Sequence, residues 1–256
     1  DRAGGLLIYG IPNFKLEKEV VKRRTKRLAD GGVTFKLGVD IGKDISFAEL
    51  RGKHDAILVA TGVYKSKELG TPGSDAKGVH KALDYLIAAN KVGLGEDVAD
   101  YSSGKLNAEK KNVVVIGGGD TAMDCVRTAI RQGAKSVTCL YRRDRANMPG
   151  SQREVANAEE EGVKFDWLAA PLSVVEKKGA GAKAVRASRM RLGPPDASGR
   201  QAPEESPDSD YDVKADMVIK ALGFDPEDLP KHFSENALSV NRWGGVKVDY
   251  KTMMTT

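Results

Sequence analysis

The sequence predicts an α/β fold in which one parallel unit is inserted into a second domain. Three observations carry this. Val113 to Ile116 is an apolar β-branched run that stops at three glycines, an amphipathic helix pattern starts at Thr121, and a second β-rich run follows at Ser136 to Tyr141. Strand, helix and strand in that order complete a parallel unit. The flanks have strand patterns but no complete glycine motif of their own, which is the layout of a domain split by an insertion. The expected boundaries are 1–75 for the first part of the split domain, 76–225 for the inserted unit and 226–256 for the return segment.

The glycines say what the inserted unit holds. Gly117, Gly119 and Ala122 fit the G-x-G-x-x-A spacing of a Rossmann-like dinucleotide-binding turn. Gly117 lets the strand turn sharply. Gly119 lets backbone approach a pyrophosphate with no Cβ in the way, and Ala122 lets the helix lie close to the strand. Free N–H groups and the helix dipole then face the phosphates. The competing reading is a structural glycine turn with no ligand, and the strand-then-helix context argues against it. Ala122, Val126, Ala129 and Ile130 form one stripe of a helix that Gly133 closes.

The end of the second strand says which dinucleotide. An NAD site places Asp or Glu there, about 20 residues past the glycines, to hold the ribose hydroxyl. This sequence places Tyr141-Arg142-Arg143 there instead, and Asp144 comes one step too late. Guanidinium groups suit a 2′-phosphate by charge and bidentate geometry, so the reading is NADP(H) over NAD(H). The alternative is a solvated loop edge.

Taken in order, Gly4 to Pro12 is a glycine-bracketed apolar stretch open to close backbone approach. Leu16 to Ala29 reads as a helix with Leu16, Val20, Val21 and Leu28 inward. Val33 to Leu37 and His54 to Ala60 read as strands, and Ser46 with Glu49 as a capping box. Ala60-Thr61-Gly62 closes the second of these strands. Small residues there serve a ligand or an ordinary turn equally well. Pro72-Gly73 marks a turn, Lys81 to Ala89 a helix, and 92–110 a polar loop. Glu154 opens a short helix that Gly162 closes. Val163 to Trp167 reads as the third parallel strand, and Pro171 to Glu176 with Lys183 to Leu192 as a hairpin. The stretch 196–212 reads as a mobile acidic loop, Asp216 to Ala221 as the last strand of the unit, and Trp243 to Val248 as a turn and strand. Trp167 and Trp243 read as core.

Composition excludes several functions. With 256 residues, 40% hydrophobic, the chain can bury a core for one or two domains. No apolar run approaches a membrane span and no signal-peptide pattern opens the chain, which points to the cytoplasm. Cys125 and Cys139 form no C-x-x-C and read as packing residues, which argues against a dithiol site, a zinc site or a cluster here. His54, His80 and His232 are scattered and read as surface or capping residues, so no metal ligands are assigned. The net charge is +5, with a basic run at Lys22, Arg23, Arg24, Lys26 and Arg27 but no interleaved aromatics. That run reads as the wet face of a helix, with a docking surface for an acidic partner as the alternative, and gives no support for nucleic-acid binding.

Five stretches together resemble one family. They are 4–16 (Gly-Gly-Leu-Leu-Ile-Tyr-Gly-Ile-Pro-x-Phe-Lys-Leu), Val-Ala-Thr-Gly-Val-Tyr at 59–64, Gly-Gly-Gly-Asp-Thr-Ala-Met-Asp-Cys at 117–125, Tyr-Arg-Arg-Asp-Arg-Ala-Asn-Met-Pro-Gly at 141–150 and Ile-Lys-Ala-Leu-Gly-Phe at 219–224. The combination resembles the small (β) subunits of bacterial NADPH-dependent glutamate synthase. The flavin half of dihydropyrimidine dehydrogenase and adrenodoxin reductase share the scaffold. The resemblance implies an NADPH-binding domain inserted into a partial FAD-binding domain. It implies hydride transfer from NADPH to FAD, and electrons then passing through iron–sulfur clusters to the large (alpha) subunit for glutamate synthesis. It assigns Gly117, Gly118, Gly119, Asp120 and Thr121 to the NADPH pyrophosphate, Arg142 and Arg143 to its 2′-phosphate, and Glu154 to its ribose region. It assigns Gly10, Ile11 and Pro12 to the FAD ring, and Ala60, Thr61 and Gly62 to FAD's nucleotide side. The family's cysteine-rich cluster segment, first FAD glycine motif and closing Gly-Asp motif do not occur in this sequence.

Hydride transfer needs donor and acceptor carbons and nitrogens within about 3–3.5 Å, and the cofactors carry the chemistry. No residue is therefore assigned as catalytic acid, base or nucleophile. A flavin-free NADP(H)-binding module is the competing class. A disulfide reductase is disfavoured by the missing C-x-x-C.

Overall fold

A computed structural model describes residues 2–177, 181–197, 199 and 201–255. In chain order the elements are α1 (Gly5–Tyr9), α2 (Lys18–Asp30), α3 (Phe47–Lys53), β1 (Lys65–Ser66), β2 (Val79–Lys81), α4 (Ala82–Gly93), α5 (Ala99–Ser102), β3 (Asn112–Ile116), α6 (Asp120–Arg131) and β4 (Ser136–Tyr141). There follow α7 (Gln152–Glu160), β5 (Lys164–Trp167), β6 (Ala169–Lys177), β7 (Gly181–Pro195), β8 (Gln201–Glu205), β9 (Tyr211–Lys214), β10 (Met217–Lys220), β11 (Phe224–Asp225) and α8 (Leu229–His232). The chain forms two compact units. Unit 1 is Asp1–Ala3, Thr25–Lys67 and Phe224–Thr256, and unit 2 is Gly4–Arg24 and Glu68–Gly223.

Unit 2 is built on a five-stranded parallel sheet in the order β2-β10-β3-β4-β5. Its registers include Met217 against Val113, Ile116 against Leu140 and Tyr141 against Trp167. Side chains alternate across a strand, and β3 uses both faces. Val113 and Val115 pack with Tyr85, Met123, Val126 and Val155 of α4, α6 and α7. Val114 and Ile116 pack with Val174, Val185 and Ala187 of the antiparallel β6–β9 sheet. One face of the parallel sheet is therefore covered by helices and the other by strands. Asn112 ties three strands at their start: the Asp216 carboxylate accepts from its backbone and side-chain nitrogens at 2.9 and 2.5 Å, and its own oxygen accepts from Ser136 at 2.9 Å.

Several sequence expectations change in unit 2. The glycine-bracketed stretch at 4–12 contains a helical turn, α1, whose Ile8 and Tyr9 are buried with Val21. The stretch 196–212 is not simply a loop, because β8 pairs with residues 190–195 of β7 and β9 with residues 184–187, on the edge opposite β6. Acidic, proline-bearing sequence hid both strands, and β7 offered backbone groups that β6 leaves unpaired; residues 198 and 200 lie outside the described residues. The hairpin forms as β6 and β7, its tip at 178–180 outside the described residues.

Unit 1 departs more. Residues 33–37 and 54–60 form no strand and have no ladder partner. Their patterning is right, but a strand needs a neighbour to take its backbone groups. Leu28, expected inward, is half exposed, and Trp243, expected in the core, is 67% exposed with the Arg242 guanidinium 4.1 Å from its ring centre. Of the final strand only isolated bridges form, at Val240–Val246 and Val248–Thr255. The capping box forms by half: Ser46 Oγ accepts from the Glu49 N–H at 3.1 Å, while the Glu49 carboxylate takes Lys53. Phe47 stacks on Phe233 at 4.8 Å, and β1 pairs with β11.

Candidate functional site

β3 and β10 are the point where the parallel sheet's connections diverge, since the chain leaves β3 toward β4 and β5 and returns at β10 on the other side. A crevice at the carboxyl ends of such strands is where open α/β sheets take ligands. Gly117 follows β3 there, and Ala221 to Gly223 follow β10. The Ala221 N–H donates to the Ile116 carbonyl at 2.9 Å, and the Gly117 N–H to the Leu140 carbonyl at 3.1 Å.

Each glycine of the turn has a different reason. Gly117 has φ +145°, and a Cβ on it would overlap the Ala221 carbonyl. A Cβ on Gly118 would overlap the Tyr141 ring. A Cβ on Gly119 would meet nothing within 4 Å, so space stands open over that residue. Gly119 also begins α6, and no side chain caps that helix. The Ala122 N–H donates to the Gly119 carbonyl at 2.9 Å, which leaves the Asp120 and Thr121 N–H groups ahead of it at the positive end of the helix dipole, where an anion is favoured. Asp120 accepts from the Ser151 N–H at 3.0 Å, Thr121 stands half-buried beside it, and Ala122 is fully buried against the sheet.

The loop after β4 folds back onto this turn at both ends. Tyr141 abuts Gly118, and the Gly150 N–H donates to the Gly118 carbonyl at 2.9 Å. In between, Tyr141 donates to the Asn147 carbonyl at 3.0 Å, and Met148 is buried in the helix-side core. Arg142 is exposed and Arg143 half-buried on that loop. Arg143 Nε is buried without a hydrogen-bond partner, an unsatisfied donor of the kind that folded proteins normally pair. Asp144 is occupied by Asn147, whose backbone and side-chain nitrogens both donate to it. Gly150 enters the sequence reading only as the end of the 141–150 motif, with no role assigned to it; the Pro149-Gly150 turn dipeptide was the signal for its fold-back.

Glu154, in the first turn of α7, carries ion pairs to Arg127 at 2.7 Å and Lys15 at 3.5 Å. It belongs to a network that binds segment 4–24 to α6 and α7. Lys15 donates to Asp124 at 2.8 Å, Phe14 lies under Arg127 and Arg131, and both arginines share Glu161. Burial pushes the Glu161 carboxyl up, but hydrogen bonds from Arg131 and Arg127 outweigh it and bring it down to about 2. Nothing in the spacing of Phe14, Lys15, Arg127 and Glu161 announced this cluster.

Gly10, Ile11 and Pro12 lie in unit 2 with the turn. Gly10 ends α1, where a Cβ would crowd Leu6, and the Ile11 carbonyl accepts from Lys18. Ala60, Thr61 and Gly62 lie in unit 1 and are exposed, with Gly62 at φ +70°. The two cysteines are free and buried, and burial pushes Cys125 well up and Cys139 to about 12. Neither has the thiolate character of a reactive cysteine. Among the described residues no cluster of His, Cys, Asp and Glu could hold a metal, and no helix is long and apolar enough to cross a membrane.

Comparison with known proteins follows the same lines. The signature of the pyridine nucleotide-disulphide oxidoreductases matches residues 6–256. The glutamate synthase [NADPH] small chain of Azospirillum brasilense is 60% identical over 255 residues, which is 100% of this chain and 52% of that one. A putative oxidoreductase, AegA, of Escherichia coli is 44% identical over 250 residues, 97% of this chain and 38% of that one. The chain thus spans about half the length of the first of these relatives. In fold it is similar to Mycobacterium tuberculosis FprA in complex with NADPH, with a TM-score of 0.69 at 16% identity over 86% of this chain and 61% of that one.

Proposed function

This chain belongs to the pyridine nucleotide-disulphide oxidoreductase family, and from that premise we propose that unit 2 binds NADPH as part of a glutamate synthase small subunit. One observation carries the reading: an uncapped helix start with open space over Gly119, and an arginine-bearing loop folded onto it by Tyr141 and Gly150. Gly118 to Thr121 hold the pyrophosphate through the backbone, and Gly117, whose own N–H goes to the Leu140 carbonyl, makes the turn that brings them to it. Arg142 and Arg143 hold the 2′-phosphate, which supplies the acceptor that Arg143 Nε lacks. Asp144 comes one step after the arginines and holds Asn147 through one oxygen, Oδ1, which ties it to the loop's own turn. Glu154 orders the ribose side through Arg127 and Lys15.

When bound, NADPH supplies a hydride, and the acceptor in this reading is FAD. The family resemblance assigns Gly10 to Pro12 to the flavin ring and Ala60 to Gly62 to its nucleotide side. Residues 33–37 and 54–60 have no ladder partners, so this reading completes the FAD domain with sequence that the relatives carry outside the matched half. Iron–sulfur clusters and the large subunit then receive the electrons. The AegA relative is named an oxidoreductase and not a glutamate synthase chain, and this favours a second reading in which the site serves another acceptor.

Replacing both arginines, Arg142→Ala with Arg143→Ala, tests the coenzyme assignment. Each charge-assisted contact contributes about 1.5–3 kcal/mol, so titration should show NADPH weakened at least tenfold more than NADH. Equal loss for both coenzymes overturns the 2′-phosphate role. An absorption spectrum of the purified chain tests the flavin half: flavin bands support it, and a colourless protein that still binds NADPH supports the flavin-free module.

A further inference from the structure

Unit 2 contains a second concavity at the far end of α6 from the nucleotide turn. A cavity of about 250 Å³ lies among Pro12, Phe14 and Lys18 on one side and Leu86, Thr128 and Arg131 on the other. Along α6 it stands roughly 15 Å from the glycines, at about 1.5 Å per residue.

Its chemistry is one-sided. Two cations line it, and no aspartate or glutamate does. Arg131 is balanced by Glu161, but Lys18 is not balanced. Lys18 is only 6% exposed, and its ammonium donates to the Leu7 and Ile11 carbonyls; no described carboxylate forms an ion pair with it. An ammonium has three N–H donors, so one remains. A buried cation held by carbonyls alone is costly unless an anion joins it. Burial accordingly pulls the Lys18 pKa down, against the opposing charge of Asp124.

The neighbouring polar groups are similarly incomplete. Thr128 is 7% exposed, and its hydroxyl is buried without a hydrogen-bond partner. The Gln132 carbonyl oxygen already accepts from the Tyr85 hydroxyl and the Ala108 N–H, both at 2.8 Å, so Gln132 has only its N–H pair left to give. The rest of the wall mixes apolar groups, Leu86, Ala89 and Val92 of α4 among them, with Tyr101 and two amides already engaged, Asn90 with the Tyr9 and Leu86 carbonyls and Asn13 with the Lys18 N–H. The volume is below the roughly 300–1,000 Å³ of sites for drug-sized ligands.

We propose that this cavity binds a small organic carboxylate with an apolar body. The carboxylate sits with Lys18, Thr128 and Gln132, and the apolar part lies against Leu86 and Ala89. This site is separate from the NADPH reading and does not depend on it.

Fluorine NMR with para-fluorobenzoate as the probe, and its neutral amide as the comparison, tests this on the whole chain. The acid should bind saturably and at least tenfold more tightly than the amide. Ala89→Leu fills the apolar side on a helix that tolerates leucine and should abolish the acid's binding with circular dichroism unchanged. Lys18→Met should erase the preference for the acid. Equal binding of acid and amide, no saturation by wild type, or undiminished binding by a folded Ala89→Leu protein each overturns the proposal. The acid–amide comparison needs no variant, so it stands even if Lys18→Met fails to fold.

Discussion

In unit 2 the apolar runs of the sequence are buried; in unit 1 runs of the same character stand in water. Val113, Val114 and Val115 are at most 1% exposed between a helical layer and an antiparallel sheet. Val33, Phe35, Leu37 and Val39 of unit 1 are exposed, and Leu58 is 89% exposed. The difference lies in neighbours and not in composition. β3 has β10 on one side and β4 on the other, so its backbone groups are paired and its side chains covered. The segments 33–37 and 54–60 have neither, and a strand pattern without a ladder remains irregular chain.

The strongest way to break this contrast is at Gly117. Its positive φ and the Ala221 carbonyl facing it leave no room for a side chain. Gly117→Val should destabilise unit 2 by about 3 kcal/mol or more, seen as a large fall in urea midpoint with loss of NADPH binding. An unchanged midpoint would mean that β10 does not press on the turn as described.

Next comes a matched pair of truncations. Val115→Ala removes fully buried methyl groups and should cost about 2 kcal/mol. Leu58→Ala trims an exposed side chain and should stay within about 0.5 kcal/mol. Similar costs in thermal unfolding would erase the distinction between the units.

The charge network of unit 2 gives a pH prediction. Glu161 is held at about 2 when folded, against an ordinary value of 4.5. A depressed folded pKa contributes stability that is present above the unfolded pKa. That stability is lost as pH falls from about 5 toward 2. Glu161→Gln should flatten that acid limb by roughly 2 kcal/mol, allowing for partial solvent exposure. A variant whose acid unfolding curve overlays the wild type would remove Glu161 from the network.

The smallest effect sharpens the local side of the comparison. Ser46→Ala removes the Oγ acceptor at the start of α3 and should cost about 1 kcal/mol. Because α3 has no buried residue, the loss should appear in hydrogen exchange of that helix alone. Faster exchange in β3 would show that unit 1 and unit 2 share one unfolding event.

Much of unit 2 was legible because its signals are local. Glycines 117 and 119, the α6 stripe and the change to arginine after Tyr141 all lie within one strand–helix–strand stretch. The hairpin, the third parallel strand and the return strand were legible for the same reason. What stayed hidden involves partners far apart in the chain. Gly4 to Arg24 joins unit 2 through Lys15 with Asp124, Asn90 with the Tyr9 carbonyl, and Phe14 beneath Arg127 and Arg131. β8 and β9 form in polar sequence because β7 offers them backbone groups that β6 does not take. Trp243 is exposed although its type predicts burial, because unit 1 offers little beyond Phe233 and Leu238 as buried apolar side chains.

By itself the sequence determined where backbone turns, where helices start and which residue types stand at the turn after β3 and the loop after β4. Those depend on φ, on caps and on charges within a few positions, and short-range sterics decide them. Only the tertiary structure decided that Gly117 answers to Ala221 and Gly118 to Tyr141, that Lys18 is buried without a carboxylate, and that the strand patterns of unit 1 remain unpaired. Those depend on which distant backbone or side chain arrives to supply a hydrogen bond, a wall or a charge, and no local pattern encodes that arrival.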